Sequence, residues 1–209
     1  MKRGHLFLAI LMLVVALPAA AGVNSSIKVE AGDLVEKDLS TVNGQIRIGD
    51  GATVHGEAES VNGSVEIGRD VKVDSVSVVN GSINIGEGTV VDGDVSTVNG
   101  QISMEKGSRA REVATVNGSL KLSGVDVEDD VSTYNGNVTL SDGTDVGGDI
   151  VIKESKRNSR RDKPLKIYIE DGSRVRGNVI VEDDDLEVEI YLRGGSVAGE
   201  LRGAKIVEK

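Results

Sequence analysis

The sequence predicts an all-β protein, a single-stranded β-solenoid (β-helix) of roughly nine coils with 18–19 residues per coil and Asn-Gly corners. Three observations predict it. The first is a restated peptide: "STVNG" at 40–44 returns as "ESVNG" (59–63), "SVVNG" (77–81), "STVNG" (96–100), "ATVNG" (114–118) and "STYNG" (132–136). Its asparagines are spaced by 19, 18, 19, 18 and 18 residues, and a fixed period of this kind marks stacked repeats. The second is alternation with a period of two around each asparagine, which reads as strands with one buried face. The third is composition: 27 glycines and no helical spacing argue against helix throughout.

The elements follow in chain order. Lys2 and Arg3 precede an apolar run, "LFLAILMLVVAL" (6–17), and "PAAAG" (18–22) supplies an A-x-A-like cleavage site. This reads as a signal peptide over 1–21, too short for a membrane span of ~20 residues. The mature chain is expected to be exported, to the periplasm or the cell surface, with no integral span after cleavage. It has no Cys, no Trp and, with Phe7 removed, no Phe, so neither disulfides nor a large aromatic core hold it together.

Regular coils are expected over 22–152. Stepping back 19 residues from Asn43 reaches Asn24, where "NSSIKV" (24–29) resembles "NGSLKL" (117–122). Four residues before each asparagine stand Leu39, Ala58, Val76, Val95, Val113 and Val131. Two before stand Thr41, Ser60, Val78, Thr97, Thr115 and Thr133. Three and five after stand pairs such as Ile46/Ile48, Ile83/Ile85 and Leu120/Leu122. Segments such as "VVDGDV" (90–95) supply a third short strand. Asn-Gly is then the corner, with glycine accepting positive φ and Asn24, Asn43, Asn62, Asn80, Asn99, Asn117 and Asn135 forming an internal amide ladder. Asn-Gly is also a hairpin signal, and six hairpins would give an antiparallel meander, but a meander does not demand one constant period.

The column just before the asparagine is Val42, Val61, Val79, Val98, Val116 and Tyr134. If the Thr column points inward, alternation turns this column outward as an apolar docking stripe. A bulge at the corner, the plainer reading, turns it inward instead. Where the next corner falls due, near residue 154, the chain reads "KESKRNSRRDKP" (153–164). About ten residues are inserted, carrying Lys153, Lys156, Arg157, Arg160, Arg161 and Lys163, a candidate partner-binding basic loop. "LKIYIEDGSRVRGNVIV" then resumes the pattern, and irregular coils continue over 165–209.

Charge narrows the partners. The chain has 24 basic and 34 acidic residues, and without Lys2 and Arg3 the net charge falls from −10 to −12, which repels nucleic acid. The partner classes left are a protein, a glycan, an anionic envelope component met by the basic loop, or a second copy stacked end to end.

"TVNGSL", "STVNGQI" and "VSTYNGNV" resemble the secreted bacterial β-strand-repeat family labelled as adhesins, whose biochemical role is undefined. The steps "VDGDV", "VGGDI", "VRGNV" and "VAGEL" resemble bactofilins, polymer-forming cytoskeletal β-solenoids. The likeness spans 24–152 and 165–207 and implies a structural or adhesion-like protein with no catalytic residues and no cofactor. Unlike bactofilins, which are typically cytoplasmic, this chain carries an export signal and an interrupted stack.

No catalytic or metal-binding constellation is expected. His55 is the one histidine of the mature chain, and without Cys a zinc site has too few ligands. "GDG" (49–51) and "SDGTDVGGD" (141–149) sit loosely near calcium-roll patterns and read better as turns. β-Helices do host polysaccharide-active enzymes, which makes Asp92/Asp94 and Asp129/Asp130 the candidate acid pairs of an alternative, carbohydrate-active reading. Aromatic platforms for sugar are expected to be missing. The reading adopted is a non-enzymatic envelope rod that presents a face to a partner, with self-assembly as its alternative.

Overall fold

The structure, a computed structural model, describes residues 24–154, 164–183 and 185–208. The signal-peptide expectation lies outside the described residues. Among those residues there is no helix, and every ladder between strands is parallel. A meander would pair its strands antiparallel, so the chain is a β-solenoid of about nine turns.

Ten strands, one per coil, form one sheet, from Ile27–Val29 and Ile46–Ile48 to Val188–Arg193 and Lys205–Glu208; the first seven, as far as Val138–Ser141, each follow an asparagine corner. The other two sides of the coil belong to one sixteen-stranded sheet. They are joined because Thr53–Asn62 and Lys72–Asn80 run without a break around the corner between them. One of these sides carries strands of three to five residues ending at the asparagine, such as Val95–Asn99 and Val113–Asn117. The remaining side is shorter than its sequence suggests: Val90–Val91, Arg109–Ala110, Asp126–Val127 and Asp145–Val146 are two-residue strands.

Register is strict because one face of every strand is buried, so a slip by one residue would turn the whole apolar set outward. Ile102 pairs with Ile83 and Leu120, and Met104 with Ile85 and Leu122. Like thus stacks on like, and the interior is a set of aliphatic columns with no aromatic side chain: Ile46, Ile83, Ile102, Leu120 and Val138 are all fully buried. Burying one such side chain contributes about 1.5–3 kcal/mol. The inner Thr column is buried too, and three of its hydroxyls bond the coil below: Thr41 to Ser25 O at 2.8 Å, Ser60 to Gly44 O at 3.0 Å and Thr97 to Gly81 O at 3.2 Å. The buried hydroxyls of Thr115 and Thr133 have no hydrogen-bond partner among the described residues.

The insertion sits where the register demands. Thr133 pairs with Ile152 and Val138 with Ile167, so five steps of chain in one coil become fifteen in the next. Ile167 and Ile169 return to the two inward positions, both fully buried, and the stack continues. The C-terminal coils keep the same pairing, Ile167 on Ile190 and Ile190 on Ile206, with one register shift at Ile190/Tyr191.

Candidate functional site

The asparagine corner forms the expected ladder, but on the outside of the rod. Asn43 donates from Nδ2 to Asn24 Oδ1 at 2.7 Å, Asn62 to Asn43 at 2.9 Å and Asn80 to Asn62 at 3.0 Å. Asn99 donates to Asn80 at 2.9 Å, Asn117 to Asn99 at 3.0 Å and Asn135 to Asn117 at 3.1 Å. Asn24 through Asn117 are exposed and Asn135 is half-buried, which corrects the expectation of an internal ladder. The inward place two residues earlier belongs to the Thr column, and the chain turns its corner before alternation can bring the asparagine inside.

The glycine beside each asparagine is needed for another reason than the one expected. Of the six, only Gly81 has a positive φ, 157°, close to fully extended backbone. What these positions lack is room: a Cβ on Gly63 or Gly100 would lie 1.9 Å from the carbonyl oxygen of the corner glycine one coil below, and on Gly118 1.7 Å. Left-handed backbone occurs instead at the corner eight residues after the asparagine, at Gly32 (φ 76°), Gly51 (φ 70°), Asp70 (φ 55°), Gly88 (φ 68°) and Gly107 (φ 76°). "GDG" and "SDG" are such corners. Asp50 accepts the Arg69 backbone N–H at 2.8 Å and pairs with its guanidinium at 3.1 Å, which holds its carboxyl below the usual aspartate range. No group of three or more potential metal ligands occurs among the described residues, and His55 is exposed.

The strands that end at the asparagine present three columns outward. Val42, Val61, Val79, Val98, Val116 and Tyr134 are half-buried and stand outside the core cluster. The structure therefore places the stripe on the surface; register shifts fall at Val54/Glu57 and Ile190/Tyr191, not at the asparagine corner. The middle column is small and buried at Ser40, Ser96, Ala114 and Ser132, with Glu59 as its one large member among these coils. The third column is acidic, running Asp38, Glu57, Ser75, Asp94, Glu112, Asp130 and Asp149 in register. The pairs expected as candidate acids are split by this geometry: Asp94 and Asp130 join the column with Glu112 between them, whereas Asp92 and Asp129 lie outside it. Glu112, Glu57 and Asp149 were missed, although all but Asp149 sit five residues before an Asn-Gly asparagine and the same parse would have found them.

Stacking carboxylates about 4.8 Å apart costs free energy, and the column shows how it is limited. Burial, then the charge of Asp94, pushes Glu112 up to about 7, with Lys153 and Arg111 opposing. Burial also raises Asp94, against the pull of Arg111, whose guanidinium lies 2.7 Å away. Glu59, in the middle column, is raised to about 7 by burial and by Glu57. Elsewhere the acids serve as backbone acceptors: Asp38 takes the N–H of Glu57 at 3.0 Å, and Asp130 that of Asp149 at 2.7 Å.

Of the basic loop, only Lys153 falls within the described residues; it is half-buried, follows Ile152 directly above Tyr134, and donates its N–H to Thr133 O at 2.8 Å. Lys156, Arg157, Arg160, Arg161 and Lys163 lie outside them.

A second feature went unseen in the sequence. Tyr168 and Tyr191 stack on the outer side of the ten-stranded sheet, with ring centroids 4.8 Å apart and planes at 21°. Lys166 lies 5.4 Å from the Tyr191 ring centre, and Arg193 5.6 and 5.5 Å from the two rings. The Tyr191 hydroxyl donates to Glu189 at 2.8 Å. No aromatic pair was expected, although the signal was present: "KIYIE" and "EIYLR" carry tyrosine at one strand position, 23 residues apart.

Comparison with family models, with curated proteins and with solved structures finds no match to this chain.

Proposed function

We propose that the chain is a non-enzymatic, exported structural or adhesion-like rod of the bacterial envelope, and that it acts by presenting the surface of the strands that end at the asparagines. The observation that carries this reading is the valine column: five valines in successive coils, half-buried, with no share in the core. Valine on a solvent face contributes little to folding, whereas an uninterrupted apolar edge beside an acidic column suits a contact surface. The basic segment 153–163 supplies the complementary charge, directed at an anionic envelope glycan, lipid headgroup or acidic protein patch. The test is co-sedimentation of purified 22–209 with isolated envelope fragments. Changing Arg157, Arg160 and Arg161 together to Glu is expected to abolish binding without altering the circular dichroism spectrum. Binding that survives this change removes the loop from the reading, and no binding by the unaltered protein removes the reading itself.

A second reading, end-to-end self-assembly of the bactofilin kind, is favoured by a separate observation. Among the described residues the exposed large hydrophobic side chains are Leu34 (62%) and Val207 (46%), one in the first coil and one in the last. Each lies in a terminal strand with an unpaired edge, a template for another copy. Light scattering at low and high salt separates the readings: long oligomers lost on Leu34→Lys support assembly, and a monomer leaves presentation.

A further inference from the structure

Asn-Gly is the dipeptide most prone to deamidation in a flexible chain, because glycine places no side chain in the way of its own nitrogen. The glycine backbone nitrogen attacks the asparagine Cγ and loses its proton to base, Nδ2 leaves as ammonia, and a succinimide closes. Water then opens the ring at either carbonyl to give aspartate or isoaspartate. Base and water are the only co-reactants, and both reach this corner, since the asparagines from Asn43 to Asn117 are exposed. The chain stacks six such pairs in one column.

We propose that this column is a row of latent modification sites, kept unreactive by the ladder itself, and that conversion of one rung activates the rung of the preceding coil. Two locks act on the central pairs. The carboxamide is tied at both ends: Asn80 donates to Asn62 at 3.0 Å and accepts from Asn99 at 2.9 Å, so it cannot rotate toward the attacking nitrogen without breaking these bonds. The nucleophile is tied as well. Gly63, Gly81 and Gly100 each donate their N–H to the backbone oxygen of the asparagine one coil above, Asn80, Asn99 and Asn117, at 3.0 Å. Attack requires breaking both sets of bonds in one coil.

The direction of failure follows from which atoms donate. Every rung donates from Nδ2 to the Oδ1 of the coil before it. An aspartate at position 80 still accepts from Asn99, but it has no proton for Asn62 Oδ1 and sets a negative charge against it. Asn62 then keeps one tie where it had two, while Asn99 keeps both. Damage therefore spreads toward the N-terminal coils. It ends at Asn24, which is followed by serine and is the poorer reactant. At the other end the pairing of Thr133 with Ile152 sets Glu154, not another asparagine, in the coil after Asn135.

The test is peptide mass mapping of the purified protein held warm at mildly alkaline pH, following aspartate and isoaspartate at each of the six sites, folded and in guanidinium. Deamidation goes through locally opened chain, so each central site should react about tenfold or more slowly when folded. Asn80→Asp should raise the rate at Asn62 severalfold and leave Asn99 and Asn117 slow, whereas Asn80→Ala, which removes both ties, should raise Asn62 and Asn99 together. Equal rates in folded and unfolded chain overturn the proposal. So does an Asn80→Asp variant in which Asn62, Asn99 and Asn117 speed up alike, because that pattern is general loosening of the rod. Thermal midpoints of the variants keep the two cases apart, and if Asn80→Ala fails to fold, the aspartate variant decides alone.

Discussion

Two corners of the same coil use glycine for opposite reasons. At the asparagine corner five of the six glycines have negative φ and Gly81, at 157°, is close to extended, and the glycines are needed because the coil below leaves no space: a Cβ on Gly136 would lie 1.6 Å from Gly118 O. Eight residues later the backbone is left-handed, and at Gly32, Gly51 and Gly143 the space is open, with nothing within 4 Å of a Cβ. The difference shows in what replaces glycine. The left-handed corner accepts aspartate in place of glycine at Asp70, with φ of 55°, since a short polar side chain tolerates that region. The steric corner accepts no substitute in six successive coils. Tight stacking of coil on coil, more than the shape of the turn, keeps Asn-Gly constant through these six coils.

The largest expected effect breaks the steric corner. Gly118→Ala forces a methyl group into Gly100 O, 1.7 Å away, and both partners are backbone, so neither coil yields without losing ladder hydrogen bonds. A loss of about 3 kcal/mol is expected, the upper range for overpacking, read as a lower midpoint of urea unfolding. Gly51→Ala meets no atom and costs only the left-handed conformation, about 1 kcal/mol, and Gly51→Asp less still. If the two alanine variants lose equal stability, the distinction between the corners is wrong.

A smaller effect sharpens the comparison by leaving glycine alone. Asn99→Ala removes two ladder bonds, to Asn80 and from Asn117, whereas Asn24→Ala removes one. Net values of about 0.5–1.5 kcal/mol per bond, at the lower end for exposed groups, place the first near 1–2 kcal/mol and the second near half of that. Unfolding midpoints of the two variants measure the ratio. Equal losses would mean that the ladder follows the corner and does not hold it.

The same contrast explains what was legible in the sequence. Period, strand positions and the inward columns follow from which residues are apolar, and apolar identity is visible without coordinates. So is the insertion, because Ile167 and Ile169 restate a known spacing. What a glycine is for is not visible, since positive φ and lack of room leave the same letter; hence the misassigned reason at Gly63 and Gly118. The side on which Asn43 to Asn135 lie was misjudged because alternation fails at a corner, and only the fold says where the corner is. The acid column and the Tyr168–Tyr191 pair were legible in principle, each recurring at one strand position. The first begins one residue before the apolar position that opens each strand, where a hydrophobic pattern ends. The second needs a register carried across the insertion.

The smallest expected effect concerns the acidic column, where charge takes the place of shape. Glu112 stands between Asp94 and Asp130, and burial with the Asp94 charge raises it from the ordinary 4.5 to about 7. A raised carboxyl favours the folded state only while protonated, so its contribution is fully present below about 4.5 and is lost as the pH climbs through about 7. Glu59 shifts in the same direction and adds to the slope. Glu112→Gln keeps the shape and removes the charge. It should match the parent protein at pH 4 and exceed it at pH 8, by less than about 1 kcal/mol because solvent still reaches and screens the group. Thermal melts of both proteins at the two pH values give the difference directly, with the other carboxylates cancelling between variants. A Glu112→Gln variant that is no more stable at pH 8 would mean that Arg111 and Lys153 already neutralise the column. The acidic column would then owe its register to backbone acceptors such as Asp38 and Asp130 alone.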